Sequence, residues 1–378
     1  MIYRDFQGEK LSNLGFGLMR LPVVDGNDEV IDEPAAAEMI DYAYNHGVNY
    51  FDTAWGYHGG NSQLVAGRAL SRYPRESYYV TNKFPGYDVS NFGKHEEIFE
   101  KQLEALQTDY IDFYLIHNVC EVNIEQYLDT DTFGTVEYFI RQKEAGRIKH
   151  LGFSVHGNYN TFERFLDKYA DAMEFCQIQL NYMDYGFQEA NRKVARLGEL
   201  NIPIWVMEPL RGGQLATFEE QDAPALKALR PEASAVEWAY RFLQSVPGVT
   251  VVLTGASTLE QLKQNVELFD ADKPLNDAEM EAILAVGHRL ATDGKLPCTK
   301  CHYCTSHCPK GLDIPYLISL YNEHISREGM RFMAPFAISA MPEDKRPSAC
   351  IGCRSCEAVC PQSLPIADTF AEFTEMLG

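Results

Sequence analysis

KHEEIFEKQLEALQTDYIDFYLIH, residues 94–117, changes character halfway along. Its first part, 94–107, carries apolar residues at helical spacing among charged ones. Its last part, IDFYLIH at 111–117, is an apolar run of aromatic and branched side chains with no polar face. A strand without a polar face is covered on both sides, which is the habit of parallel sheets joined by helical crossovers.

The alternation recurs on both sides of this stretch. Strand candidates are LGFGLM (14–19), NYFDTA (49–54), YYVTNKF (78–84), IDFYLIH (111–117), IKHLGFSV (148–155), FCQIQLNY (175–182), IPIWVME (202–208) and VTVVLTG (249–255). Amphipathic segments at 34–46, 62–71, 135–145, 160–170, 188–199 and 259–268 separate most of them. Eight strand–helix units predict an α/β fold, a (β/α)8 TIM barrel. A doubly wound sheet is the competitor. It wants a third glycine in the first turn, and Gly15-Phe-Gly17-Leu-Met-Arg20 lacks it.

Barrels of this kind gather chemistry at the C-terminal strand ends. The second strand ends in FDTAWGY with Asp52 and Tyr57, the third in TNKF with Lys83, the fourth in LIHN with His117. These residue types suit reduction of a carbonyl. The oxygen gains negative charge and needs a proton. A tyrosine can donate it, a neighbouring lysine lowers the tyrosine pKa, an aspartate holds the lysine, and a histidine orients the carbonyl. Taken singly each has a plain alternative: a loop cap, a packing ring, a solvated strand end, a satisfied core histidine.

FDTAWGY, TNK, LIHN, GFSVHG, QIQLNYMD and EPLRGG together resemble the aldo/keto reductase superfamily, in order, over about residues 10–272. The resemblance implies that Tyr57 is the general acid/base, supported by Lys83 and Asp52, with His117 orienting the carbonyl. It implies NAD(H) or NADP(H) as cofactor, with Ser154 and Gln177 on the carboxamide and Met207 against the ring. Leu210, Gly212 and Gly213 would lie along the pyrophosphate. Gly255, Ser257, Gln261 and Asn265 would lie at the adenine end. Ser257 and Glu260 are also spaced as a capping box.

Two departures from the resemblance stand out. Met207 replaces the stacking tyrosine of many relatives, and none of Gly255, Ser257 and Gln261 is basic, so NADH is expected over NADPH. A flavin is the alternative two-electron carrier. Arg20 could meet an anion or form a surface ion pair; Trp55, His58 and His156 could touch substrate or pack.

The tail is of another kind. CTKCHYCTSHCPKG (298–311) and CIGCRSCEAVCPQS (350–363) hold eight of the ten cysteines; the others are Cys120 and Cys176, expected as buried thiols. Both runs read C-x2-C-x2-C-x3-C-P, the run of a two-cluster 4Fe–4S ferredoxin, in which the fourth cysteine serves the other cluster. One cluster would take Cys298, Cys301, Cys304 and Cys360, the second Cys350, Cys353, Cys356 and Cys308. Structural zinc is the alternative, although zinc sites usually draw on two separated ligand pairs. Between the runs Ile314, Leu317, Ile318, Tyr321 and Ile325 recur at helical spacing, so a helical insertion is expected.

The expected organisation is a barrel over 1–292 and a small, largely helical ferredoxin-like domain over 293–378. The net charge of −21 argues against nucleic acid or an anionic membrane as partner. MIYRDFQGEKLSN has no signal-peptide core, and clustered cysteines fit metal in a cytoplasmic chain. The leading expectation is an oxidoreductase acting on a small-molecule carbonyl or alcohol. The competing one is a non-catalytic redox sensor or electron-transfer subunit served by a ferredoxin or flavoprotein.

Overall fold

The computed structural model describes all residues except Thr299, Cys301, Tyr303, 327–330, Phe332 and Pro361. Its contacts divide it into two compact units, Met1–Leu284 and Ala285–Gly378.

The first unit opens with an antiparallel hairpin, β1 (Tyr3–Phe6) and β2 (Glu9–Ser12). Then come β3 (Leu14–Gly17), β4 (Tyr50–Asp52), β5 (Tyr79–Phe84), β6 (Ile111–Val119), β7 (Ile148–Val155), β8 (Cys176–Gln179), β9 (Ile204–Met207) and β10 (Val249–Thr254). These eight close into a parallel barrel in chain order, β10 pairing with β3. All eight expected strands are present, and the helices follow the expected segments to within a few residues.

The hairpin was not foreseen. Its turn, Gln7-Gly8, is left-handed at both residues, the backbone of a tight two-residue reversal. It places Phe6 against Trp205, with ring centroids 5.1 Å apart, in an aromatic cluster with Tyr50, Phe113 and Phe175. This cluster fills the barrel floor. The opposite rim holds Asp52 and Met207 at the ends of their strands and Lys83, His117, Ser154 and Gln177 within two residues of the ends of theirs.

In the second unit, helices Ile314–Ile325 and Ile366–Leu377 share an apolar core through Leu317, Ile318, Tyr321, Phe370 and Phe373. The first of them is the expected insertion, and Asp313 caps it through the Tyr316 N–H. Asn322 exchanges two hydrogen bonds with Leu296, fixing the chain just before the first cysteine run. Among the described residues no helix is long and apolar enough to cross a membrane.

Candidate active site

Lys83 is the centre of the rim. Its side chain is fully buried, and its ammonium donates to Asp52 Oδ1 at 2.6 Å, to the Thr53 carbonyl at 2.7 Å and to the Tyr57 hydroxyl at 3.4 Å. Register delivers this group. Asp52 pairs with Thr81 across β4 and β5, so Lys83, two residues on along β5, points to the same face. Burial lowers the lysine pKa while Asp52 opposes the shift; burial raises that of Asp52 while Lys83 opposes.

Tyr57 begins a short turn, Tyr57–Gly60, in which His58 is left-handed (φ 53°). His58 is spent on structure rather than substrate. Its Nε2 accepts from the Leu21 N–H at 3.2 Å and its Nδ1 meets the Asp28 carbonyl at 2.6 Å, so it ties the loop after β3 to the turn that carries Tyr57. The Tyr57 pKa is pushed well above 10 by burial, then by Asp52 and Glu208. The expected lowering by Lys83 is therefore absent. The ammonium is engaged closely with Asp52, and the nearby carboxylates disfavour a second anion. Tyr57 therefore holds its proton at neutral pH.

His117 is partly buried, and burial with the Lys83 charge holds its pKa well below 6.5, so the ring is neutral. Its Nδ1 has no hydrogen-bond partner among the described residues. The Tyr87 ring stands edge-on to it, centroids 5.6 Å apart. The Tyr87 hydroxyl lies against Gly56, where a side chain would have no room. Tyr87 thus stands between His117 and the turn that carries Tyr57. Sequence reading missed it because it sits in the loop after β5 with no motif around it.

Ser154 and Gln177 are register partners on β7 and β8, both buried. Ser154 Oγ accepts from the Asn118 N–H at 2.8 Å. Gln177 Nε2 reaches Met207 Sδ at 3.8 Å, while Gln177 Oε1 and Asn118 Oδ1 are buried without partners among the described residues. Two orphaned acceptors beside a hydroxyl fit the donors of a carboxamide.

Farther out, Gly212 and Gly213 are left-handed (φ 70° and 99°), and the space where a Gly213 side chain would stand is open. Leu210 accepts from the Gly213 N–H and starts this turn. At the adenine end the expected capping box is displaced by one residue. Thr258 caps helix Leu259–Leu268 by accepting from the Gln261 N–H, and Gln261 Oε1 accepts from the Ser257 N–H. Asn265 donates to Thr254 Oγ1 at 2.7 Å, tying the helix to β10. Lys263 turns away to the Tyr42 ring.

Arg211 is a second missed residue. It is fully buried and its Nε meets both carboxylate oxygens of Asp184, at 3.2 and 3.1 Å; Gln179 and Asn181 also donate to Asp184. The pair locks the loop after β9 onto the segment after β8. Cys120 and Cys176 are buried, and burial pushes the Cys120 thiol up to about 12, so it is inert.

In the second unit Cys308, Cys350, Cys353 and Cys356 line one cavity, walled by Leu312, Ile314, Ile366 and Phe370. The Leu312 N–H donates to Cys308 Sγ at 3.4 Å. Four thiols around an apolar space, one of them from the other run, fit a 4Fe–4S cube ligated across the two motifs. Among the described residues no group of three or more His, Cys, Asp or Glu is placed to hold a single ion. Cys298, Cys304 and Cys360 lie against the same core, and Cys301 lies outside the described residues.

Known proteins place both units. The Bacillus subtilis uncharacterized oxidoreductase YqkF is 25% identical over 302 residues, covering 72% of this chain and 92% of its own. The NADH-specific methylglyoxal reductase of Escherichia coli is 25% identical, covering 72% and 96%. The D-arabinose 1-dehydrogenase of Saccharomyces cerevisiae is 26% identical, covering 71% and 85%. Among solved structures, an aldo-keto reductase from Klebsiella pneumoniae in complex with NADPH superposes with TM-score 0.61 at 18% identity, covering 76% and 96%. A 4Fe-4S dicluster domain matches residues 297–365. The aldo/keto reductase family matches residues 13–287, and with that span the chain belongs to the aldo/keto reductase family, carrying a C-terminal 4Fe–4S domain.

Proposed function

We propose that this oxidoreductase interconverts a small-molecule carbonyl and its alcohol with NAD(H) or NADP(H), and that its tail holds two 4Fe–4S clusters that pass electrons. The observation that carries the catalytic reading is the buried Lys83 ammonium between Asp52 at 2.6 Å and the Tyr57 hydroxyl at 3.4 Å. A nicotinamide, when bound, supplies the hydride. Tyr57 hands its proton to the carbonyl oxygen, and Lys83 steadies the tyrosinate this leaves. Asp52 keeps Lys83 charged and placed. Neutral His117 donates a hydrogen bond that fixes the carbonyl oxygen near Tyr57. Ser154, Asn118 and Gln177 orient the carboxamide, with Met207 beside it. We propose the boundary between the barrel and the ferredoxin-like domain near 292, a few residues past the division between the compact units at Leu284 and Ala285, and read the chain as cytoplasmic.

Support for the two clusters comes from the repeated cysteine run and the shared cavity of Cys308 with the second run. Near that cavity Ile351 is 60% exposed and Cys353 is exposed. Such access suits an outside ferredoxin or flavoprotein, or a bound flavin converting between one and two electrons. The test is Tyr57→Phe in anaerobically purified protein. Carbonyl reduction should fall by about 10²–10⁴-fold with the cluster absorbance unchanged. Equal turnover in the variant would return the chain to the electron-transfer reading.

A further inference from the structure

We propose that Tyr50, Thr81 and Trp205 hold a buried water molecule against Asp52, and that this water keeps the Asp52 carboxylate ionised. The inference rests on the catalytic reading of Asp52 above and extends it into the barrel interior. Protein atoms occupy one oxygen of that carboxylate. Oδ1 takes the Lys83 ammonium at 2.6 Å, while Oδ2 is buried with no hydrogen-bond partner among the described residues.

Three more polar atoms share that condition. The Tyr50 hydroxyl, the Thr81 hydroxyl and the Trp205 indole N–H are buried without a partner among the described residues. Register brings them together. Tyr50 precedes Asp52 by two residues on β4, and Thr81 precedes Lys83 by two on β5. Asp52 pairs with Thr81 across these strands, so all four side chains share the inner face. Trp205 comes from β9, its ring centroid 6.3 Å from that of Tyr50. Burial and then the Asp52 charge raise the Tyr50 pKa well above 10, while the Thr81 hydroxyl and the Trp205 N–H oppose the rise. Thr81 and Trp205 therefore face the Tyr50 oxygen closely enough to act on it and too loosely to bond it. That is the spacing of groups bridged by water.

The donor and acceptor set fits water. Its oxygen accepts from the Trp205 N–H and from one hydroxyl, and its two hydrogens go to Asp52 Oδ2 and to the other hydroxyl. A cation does not fit, because an indole N–H has no lone pair to offer it. The titratable groups facing Asp52 are Lys83 from β5, Tyr57 from the turn after β4 and Tyr50 from β4 itself. Against the burial that raises the Asp52 pKa, a hydrogen bond donated to Oδ2 favours the charged form, and with it the anchor of Lys83. Tyr50 and Thr81 are thus positioning residues, acting on the site through Asp52.

The experiment compares wild type, Tyr50→Phe, Thr81→Val and Thr81→Ser in crystals and across pH. Wild-type density should show one water about 2.7–3.2 Å from each of the four atoms, and Tyr50→Phe should lose it. The Asp52 carboxylate titration, followed by carbon NMR, should move up by about one pH unit in Tyr50→Phe, and the acid limb of carbonyl reduction should move with it. Thr81→Val should shift both by less, and Thr81→Ser, which keeps the hydroxyl, by nothing. Density in which the Tyr50 hydroxyl bonds directly to Thr81 or Trp205, with no water, would overturn the site. A uniform loss of activity with no displaced titration would overturn the role, since a packing defect alone produces it. A wild type that reduces no carbonyl would count against the catalytic reading alone, because density and NMR are read without turnover.

Discussion

The barrel rim and the cysteine loops both gather charged or reactive side chains, but different things hold them. On the rim, Asp52, Lys83, Ser154 and Gln177 stand on strands whose ladders close on themselves, and Lys83 is fully bonded by protein atoms. In the cysteine loops, residues 350–360 form no helix or strand, and 304–313 form only the single turn Thr305–His307. Backbone ladders position the first set. The second set rests on a small core of two helices, and the metal itself has to finish the job. One half of the chain holds its candidate site on closed strand ladders and a buried ion pair, whereas the other leaves its cysteines on loops that a cluster, when bound, would tie together.

The strongest way to break that contrast is to remove the iron. Chelation under anaerobic reducing conditions should abolish amide-exchange protection over 304–313 and 350–360 in the full chain. Protection of β5 and β6 should stay at its starting value. Equal loss in both regions, or in neither, would show that the two halves do not differ in this way.

Next in size is a test of how firmly the rim is prebuilt. Arg211→Met leaves Asp184 charged and buried with its cation gone, which costs about 3–5 kcal/mol. The denaturation midpoint of the barrel should drop accordingly. Adding Asp184→Asn should recover much of it, because no unpaired charge then remains. A single variant as stable as wild type would mean that the loop after β9 is held by something other than this pair.

The same contrast explains what could be read in the sequence. The barrel strands were legible because a strand covered on both faces is apolar throughout, as in Phe113-Tyr-Leu-Ile116 of β6. The hairpin was not, because three of the four residues in Glu9-Lys-Leu-Ser12 are polar and the strand takes its place only when Phe6 finds Trp205. Asp52, Tyr57, Lys83 and His117 were legible as residues with chemistry at successive strand ends. Tyr87 and Arg211 were not, since each acquires its meaning from a loop distant in sequence. The capping box failed for a smaller reason. Ser257/Glu260 and Thr258/Gln261 satisfy the same spacing one residue apart, and only backbone geometry chooses between them.

The smallest effect is a displaced pH limb, and it tests the order of protonation on the rim. Burial lowers the Lys83 pKa below 10.5, while burial with Asp52 and Glu208 raises Tyr57 well above 10. As pH rises, Lys83 therefore loses its proton first, while Tyr57 still carries the proton to be donated. Carbonyl reduction should fall through the lysine pKa, because the tyrosinate formed in the reaction then has no cation beside it. The limb should show the high ionisation enthalpy of an amine, not the lower one of a phenol. In the opposite direction Tyr57 must start deprotonated, so alcohol oxidation should climb with pH until Lys83 loses its charge. A reduction limb with the enthalpy of a phenol would mean that Lys83 does lower the Tyr57 pKa in the working enzyme. The rim would then be completed by its cofactor, as the cysteine loops are.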